Sequence, residues 1–209
     1  MRWIIRAVAV LCVVSWIVVA GLFARPSGQT SMQAPVRGET RVVGRSLPFD
    51  WSRRVLLSSD DVFAGVGRGQ VEAVVPIVER YARRFHLDPL MVLAVIHVES
   101  RFDPTAVSPQ GAMGLMQLQG ATARDLAMDL GLEWTGDELL FDPNLNVMLG
   151  CAYLRRLIDR FGDQDAALAA YCSGPTFVEA RRDANGRIPL AYSDRVWDVL
   201  TALQGKVSA

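Results

Sequence analysis

An excess of either charge is missing from this chain. Its 22 basic and 22 acidic residues cancel, so it carries no electrostatic footprint for nucleic acid. Arg2, Arg6 and Arg25 lie in a first stretch of 25 residues with no acid; the remaining 19 basic residues face 22 acidic ones, a net charge of −3. Such a body has no bulk attraction for anionic polymers. Lysine occurs once, at Lys206, and histidine twice, at His86 and His97. Two histidines do not make a metal site. His97 precedes Glu99 by two positions, so on a helix the two point to opposite sides. No phosphate-binding glycine loop or nucleotide motif is present, and neither a cofactor nor a metal is expected. Nothing places a base beside Cys172, which speaks against a thiol protease. An alternating strand pattern is also lacking, so the chain reads as mainly α-helical.

Long apolar runs are confined to the beginning. Arg2 and Arg6 precede an uncharged, mostly apolar run of 18 residues from Ala7 to Ala24. Signal-peptide cores span about 7–15 residues and a membrane-crossing helix about 17–25. Residues 1–24 are therefore either a signal peptide, with Val18-Val19-Ala20 as its cleavage site, or an uncut anchor. Cys12 follows Leu11 rather than a small residue and reads as a plain apolar cysteine, not a lipidation site. Residues 25–69 lack sustained periodicity and contain Pro26, Pro35 and Pro48, the pattern of a flexible linker. Within it, Leu47 to Trp51 and Val55 to Leu57 either pack back on the following domain or form a short partner-binding stretch.

The domain proper is expected over residues 70–205. An amphipathic helix runs from Gln70 to Phe85, with Val71, Val74, Val75, Val78 and Tyr81 inward. Further helices are expected over Ala121–Leu130, from Asp142-Pro143 to about Phe161, over Asp163–Tyr171, and over Tyr192–Leu203. Gly174-Pro175 is read as a stop and Asn185-Gly186 as a turn.

The informative stretch is Asp88 to Gln117. Asp88 suits an N-cap and Pro89 the first helical position, where its missing N–H costs nothing. Leu90 to Val98 is apolar nearly all round, as in a buried helix. At its end stands Glu99. A carboxyl on a dry helix end loses water, and both desolvation and the negative end of the helix dipole raise its pKa. That favours a carboxylic acid still protonated near neutral pH, which a general acid requires. The plainer alternative is a surface glutamate meeting a solvated Arg101.

Glu99-Ser100, then SPQGAMGLMQL (108–118), DPNLNVMLGCAYL (142–154) and ALAAYCSGP (167–175), occur in this order. Together they resemble the catalytic domain of the soluble lytic transglycosylases, in the lysozyme-like superfamily, with goose-type lysozymes as relatives. The likeness covers about residues 75–200. It implies a lysozyme-like helical domain with a substrate groove. It implies also cleavage of the MurNAc–GlcNAc β-1,4 bond of peptidoglycan glycan strands. In that family one glutamate protonates the bridging oxygen and then takes the proton of the muramic 6-hydroxyl, closing a 1,6-anhydro ring without water. Glu99 matches that residue; no convincing second carboxylate was found among Asp103, Asp125 and Asp129. By the same likeness Ser108, Met113 and Gln117 bind substrate. Tyr171 matches the tyrosine whose hydroxyl approaches the catalytic carboxyl, and Asn146 a structural asparagine. Export to the periplasm or the outer face of the cytoplasmic membrane follows. By fold-level analogy the chain could serve cell-envelope machinery, with membrane contact only through residues 1–24 if these stay uncut.

Two departures stand out. Cys172 replaces the asparagine of the usual Ala-Tyr-Asn-Ala-Gly, and Leu190-Ala191-Tyr192-Ser193 follows Ile188-Pro189 where the family has Glu-Thr before a Tyr-Val pair. The first motivates a rival reading, a wall-binding scaffold with the same fold and little activity; a water-using lysozyme is another. Cys151 and Cys172 are equally spaced about the Phe161–Gly162 turn. A disulfide is possible in an oxidising compartment. However, neighbouring helix axes lie about 8–10 Å apart, wider than the about 4.4–6.8 Å that a bridge needs between Cα atoms. A pair of buried thiols is the alternative.

Overall fold

The structure, a computed structural model, describes residues 50–184 and 186–208. The expected signal or anchor segment, the first half of the linker and Asn185 of the expected turn lie outside the described residues. Among those described there is no strand, only two isolated bridges, Val107 with Met113 and Met113 with Leu118. No helix of the described residues is long and apolar enough to cross a membrane.

Nine α-helices follow in order among the described residues: α1 Trp51–Leu57, α2 Ser59–Val62, α3 Arg68–Arg84, α4 Pro89–Ser100, α5 Gly120–Asp129, α6 Pro143–Phe161, α7 Gln164–Ser173, α8 Pro175–Asp183 and α9 Ala191–Ser208, with a 3-10 turn at Asp137–Phe141. The mainly helical expectation holds, and the expected helices appear with their ends moved by a few residues. Three helices lie outside those expected, α1, α2 and α8. Gly174-Pro175 does end α7, but Pro175 also occupies the first turn of α8, where its fixed φ favours a start. Part of the stretch expected as linker is helical. Residues 51–62 form α1 and α2, and Trp51, Val55, Phe63 and Val66 are buried in the core. Packing back on the domain is the outcome for this stretch, because these apolar side chains find cover there.

α4 is the central element. Asp88 Oδ1 accepts from Leu90 N at 2.8 Å, and Leu90 to Ile96 are all buried. The helix is enclosed on every side: it packs along α9 and against α3. α6 and α7 form an antiparallel hairpin through Gly162, whose φ of 64° makes the turn. Cys151 is buried and Cys172 half-buried, and the structure joins neither in a disulfide.

Candidate active site

Glu99 sits in the last turn of α4, half-buried. Its Oε1 accepts from the Tyr192 hydroxyl at 2.6 Å. Burial raises its pKa from 4.5 to about 7, against the opposing pull of that hydrogen bond and of the Arg195 charge. Desolvation wins because only one hydroxyl and one exposed cation offset the lost water. Tyr192 is itself buried, and its pKa is driven well up by burial and by the field of Glu99. The phenol therefore stays protonated and can donate to the carboxyl. Arg195 lies over the Tyr192 ring at 5.5 Å.

Tyr171, matched by the resemblance to a tyrosine whose hydroxyl approaches the carboxyl, donates that hydroxyl to Met116 O at 2.8 Å. The residue on the carboxyl is Tyr192, at the start of α9. Tyr171 stays close by: its ring lies 6.4 Å from that of Tyr192 and nearly parallel to it, and it senses the Glu99 charge. Sequence offered one faint sign of Tyr192. It falls in the Leu190–Ser193 segment that departs from the family pattern, 93 residues from its partner.

The loop after α4 carries the other expected residues, and the fold consumes much of their polar capacity. Arg101 and Phe102 take φ of 54° and 64°, turning the chain sharply off the helix. Ser108 Oγ accepts from Ala112 N at 3.0 Å and shapes a turn, leaving the hydroxyl proton available. Gln117 has φ 48°, and its amide donates to Ala106 O and Gly114 O at 3.0 and 2.9 Å. One oxygen of that side chain remains for a ligand. Met113 is half-buried and Met116 fully buried, so of the two only Met113 presents surface.

Asn146, on α6, fastens this loop. Its Oδ1 accepts from Met116 N at 2.7 Å, and its Nδ2 donates to Met113 O and Leu140 O at 2.9 Å each. Fully buried, it uses its whole amide on backbone. Gly114, at φ 76°, lets the loop lie against it: a Cβ there would come within 2.3 Å of Asn146 Nδ2 and Leu140 O. Met116 is thus held at its N–H by α6 and at its carbonyl by α7. The structural role expected of Asn146 agrees with this geometry.

The described residues hold no group of three or more His, Cys, Asp or Glu able to bind a metal. His97, on the other side of α4, contacts Phe63 and Phe102 at 5.1 and 6.1 Å between ring centroids. Its Nδ1 is buried without a hydrogen bond, and burial together with Arg101 lowers its pKa. It packs between the two rings. A cavity elsewhere, on α3, is lined by Pro76, Glu79, Arg80, Arg83 and Arg84 and by none of the residues around the acid.

Comparison with known proteins agrees with this picture. Residues 76–189 match the family model described as the Transglycosylase SLT domain, just over half of the chain. A transglycosylase of Enterobacteria phage PRD1 is 42% identical over 91 residues, covering 44% of this chain and 31% of that protein. Membrane-bound lytic murein transglycosylase C of Actinobacillus pleuropneumoniae is 33% identical over 141 residues, covering 60% and 39%. The chain thus spans about a third of the length of these relatives. Among solved structures, the 70 kDa soluble lytic transglycosylase of Escherichia coli matches with a TM-score of 0.52 and 26% identity over 63% of this chain and 23% of that one. An inactive glutamate-to-glutamine mutant of lytic transglycosylase Slt from Pseudomonas aeruginosa matches with a TM-score of 0.50 and 26% identity over 63% and 22%. With the family model, the fold and the ordered motifs in agreement, this chain belongs to the transglycosylase SLT domain family, within the lysozyme-like superfamily.

Proposed function

We propose that this domain is a peptidoglycan lytic transglycosylase in which Glu99 acts first as acid and then as base. The observation that carries the reading is a lone carboxyl at the dry end of a buried helix, held by a protonated tyrosine and tuned to about 7. In that state it can donate a proton to the oxygen between MurNAc and GlcNAc at neutral pH. Once ionised, the carboxylate keeps the Tyr192 hydrogen bond and takes the proton of the muramic 6-hydroxyl as that oxygen closes on C1. No carboxylate is among the groups acting on Glu99, which suits a single-acid, substrate-assisted route of the kind the two-carboxylate scheme admits as an exception. The relative from Pseudomonas aeruginosa loses activity on a glutamate-to-glutamine change, which supports one essential glutamate here.

The loop of Ser108, Met113 and Gln117 forms one wall of the substrate groove in this reading. Ser108 offers its hydroxyl proton to an N-acetyl group, Gln117 its amide oxygen, and Met113 an apolar surface for the sugar face. The working unit is the helical domain of residues 70–205 with α1 and α2 packed on it. Its place is the cell envelope, on the periplasmic side, as the membrane-bound relatives suggest. The substrate is peptidoglycan glycan strands, with cell-envelope machinery as possible partners; membrane contact is confined to residues 1–24 if these remain uncut.

The test is Glu99→Gln on purified sacculi with mass analysis of the products. Release of fragments lighter by one water than hydrolysis products, abolished in the variant, upholds the proposal. Products carrying the water indicate a lysozyme. Equal, slow turnover by wild type and variant hands the case to a wall-binding scaffold, the reading that Cys172 at the usual asparagine position favours.

A further inference from the structure

The turn that leaves the catalytic helix is held by a part of the chain outside the family match. Arg101 and Phe102 are two successive non-glycine residues with positive φ, a conformation that L-residues adopt rarely and that persists only where surroundings impose it. The surroundings come from residues 51–66. Phe63, fully buried, meets the Phe102 ring edge-on at 4.8 Å and the His97 ring at 5.1 Å. Arg101 Nη2 donates to Ala64 O at 2.5 Å. Gly65, at φ 78°, passes beneath that guanidinium, where a Cβ would lie 3.1 Å from Nη2.

The same segment is tied to the helix that brings Tyr192. Arg54 Nη1 donates to Val207 O at 3.1 Å, Lys206 Nζ donates to Asp61 Oδ2 at 2.6 Å, and α1 and α2 both pack against α9. One strap therefore grips the end of α4 that carries Glu99 and the far end of α9, whose beginning carries Tyr192. The strap precedes residues 76–189, the part matching the family model.

We propose that Phe63, with its strap of residues 51–66, is a positioning element for Glu99: it keeps the left-handed turn closed behind α4 and so sets the carboxyl against Tyr192 and away from bulk water. The inference rests on the function proposed above for Glu99. Phe63 touches neither the carboxyl nor any group placed at the substrate, so it acts through His97, Phe102 and the last turn of α4. The groups facing Glu99 itself, Tyr192 and Arg195 from α9 and Tyr171 from α7, would remain in place when Phe63 changes.

The experiment uses the full chain with Phe63→Ala, Phe63→Leu and, as a control cavity in α6, Leu157→Ala. Three quantities are measured: kcat and KM on soluble peptidoglycan oligomers, thermal midpoint, and the titration midpoint of Glu99 by carboxyl carbon-13 NMR, assigned with Glu99→Gln. Expected for Phe63→Ala is a kcat at least tenfold lower with KM within twofold. Its Glu99 midpoint should move down from about 7 as water enters, with Phe63→Leu restoring both to within threefold. The control should lose thermal stability without moving the Glu99 midpoint. Wild-type kcat and midpoint in folded Phe63→Ala, or losses no larger than the control's, overturn the proposal. Should Phe63→Ala fail to fold, Arg101→Gln, which removes the Ala64 contact, takes its place under the same criteria. If the wild type releases no fragments at all, the catalytic reading fails on its own, and the NMR midpoint still decides: a lowered value upholds the positioning role and an unchanged one removes it.

Discussion

Two titratable side chains stand two residues apart near the end of α4, and they meet opposite fates. Glu99 faces α9, where a tyrosine hydroxyl reaches it at 2.6 Å and an arginine lies over that ring. His97 faces the strap, between two phenylalanine rings, with a buried nitrogen that bonds to nothing. Burial pushes both toward their neutral forms, raising the acid and lowering the base. What separates them is partnership. A neutral carboxyl beside a hydrogen-bond donor can lose its proton and find the resulting charge half-accommodated; a neutral imidazole among rings has nowhere to put a charge. One face of the helix is equipped for proton transfer and the other for packing, on the same buried scaffold.

The sharpest way to break this comparison is Glu99→Gln, which keeps shape and removes the proton. Turnover of purified cell wall should fall by roughly 10²–10⁴-fold, the usual worth of a general acid, while sedimentation with sacculi shows binding retained. In the wild type, kcat/KM should decline above a midpoint near 7 as Glu99 loses its proton.

Removing the loop's anchor comes next. Asn146→Ala strips three hydrogen bonds, two of them buried, from Met116, Met113 and Leu140. Leaving such backbone groups without partners should lower stability by about 3 kcal/mol or more, read from the denaturant midpoint. Activity should fall with it, since the wall of Ser108 and Gln117 loosens.

Tyr192→Phe tests the partner itself. It deletes the one hydrogen bond that stabilises the Glu99 carboxylate, so the alkaline limb of the pH–rate profile should move upward from 7. A hydrogen bond to a charged group is worth about 1.5–3 kcal/mol, so kcat should drop by one to two powers of ten. A Tyr171→Phe variant should leave that limb in place, because its hydroxyl serves Met116 O.

The last comparison concerns stability against pH, where the two residues should act with opposite signs. Between about 4.5 and 7 the folded state holds a proton on Glu99 that the unfolded chain has released. Stability therefore falls as pH rises through that window, by up to about 3 kcal/mol, and Glu99→Gln should remove this slope. His97 has a lowered pKa. Below about 6.5 the unfolded chain takes up a proton that the folded state refuses, so this contribution falls as pH drops. His97→Phe should flatten the acid side while leaving the Glu99 slope intact. Denaturant titrations at pH 5, 6, 7 and 8 on the two variants separate the limbs.

Much of the scaffold was legible beforehand. Asp88-Pro89 followed by an apolar run marks α4 because a cap, a pre-set φ and a missing polar face are local properties. Asp142-Pro143 marks α6 in the same way. The same proline chemistry misled at Pro175, where a residue that both stops one helix and starts the next was read only as a stop. Trp51 and Val55 were ambiguous, since seven residues of α1 carry too little periodicity to say whether a partner or the protein's own core covers them.

The chain's residue order determined on its own that a buried helix ends in a carboxyl, that a glycine-bearing loop follows, and that the domain is helical. These depend on neighbours within a few positions, where cap, period and turn chemistry act. Only the tertiary structure decided that Tyr192 rather than Tyr171 holds Glu99 and that the strap reaches the turn behind the acid. Each of those pairings joins residues far apart along the chain, and each was settled by which helix faces pack together and how far apart their backbones come to rest.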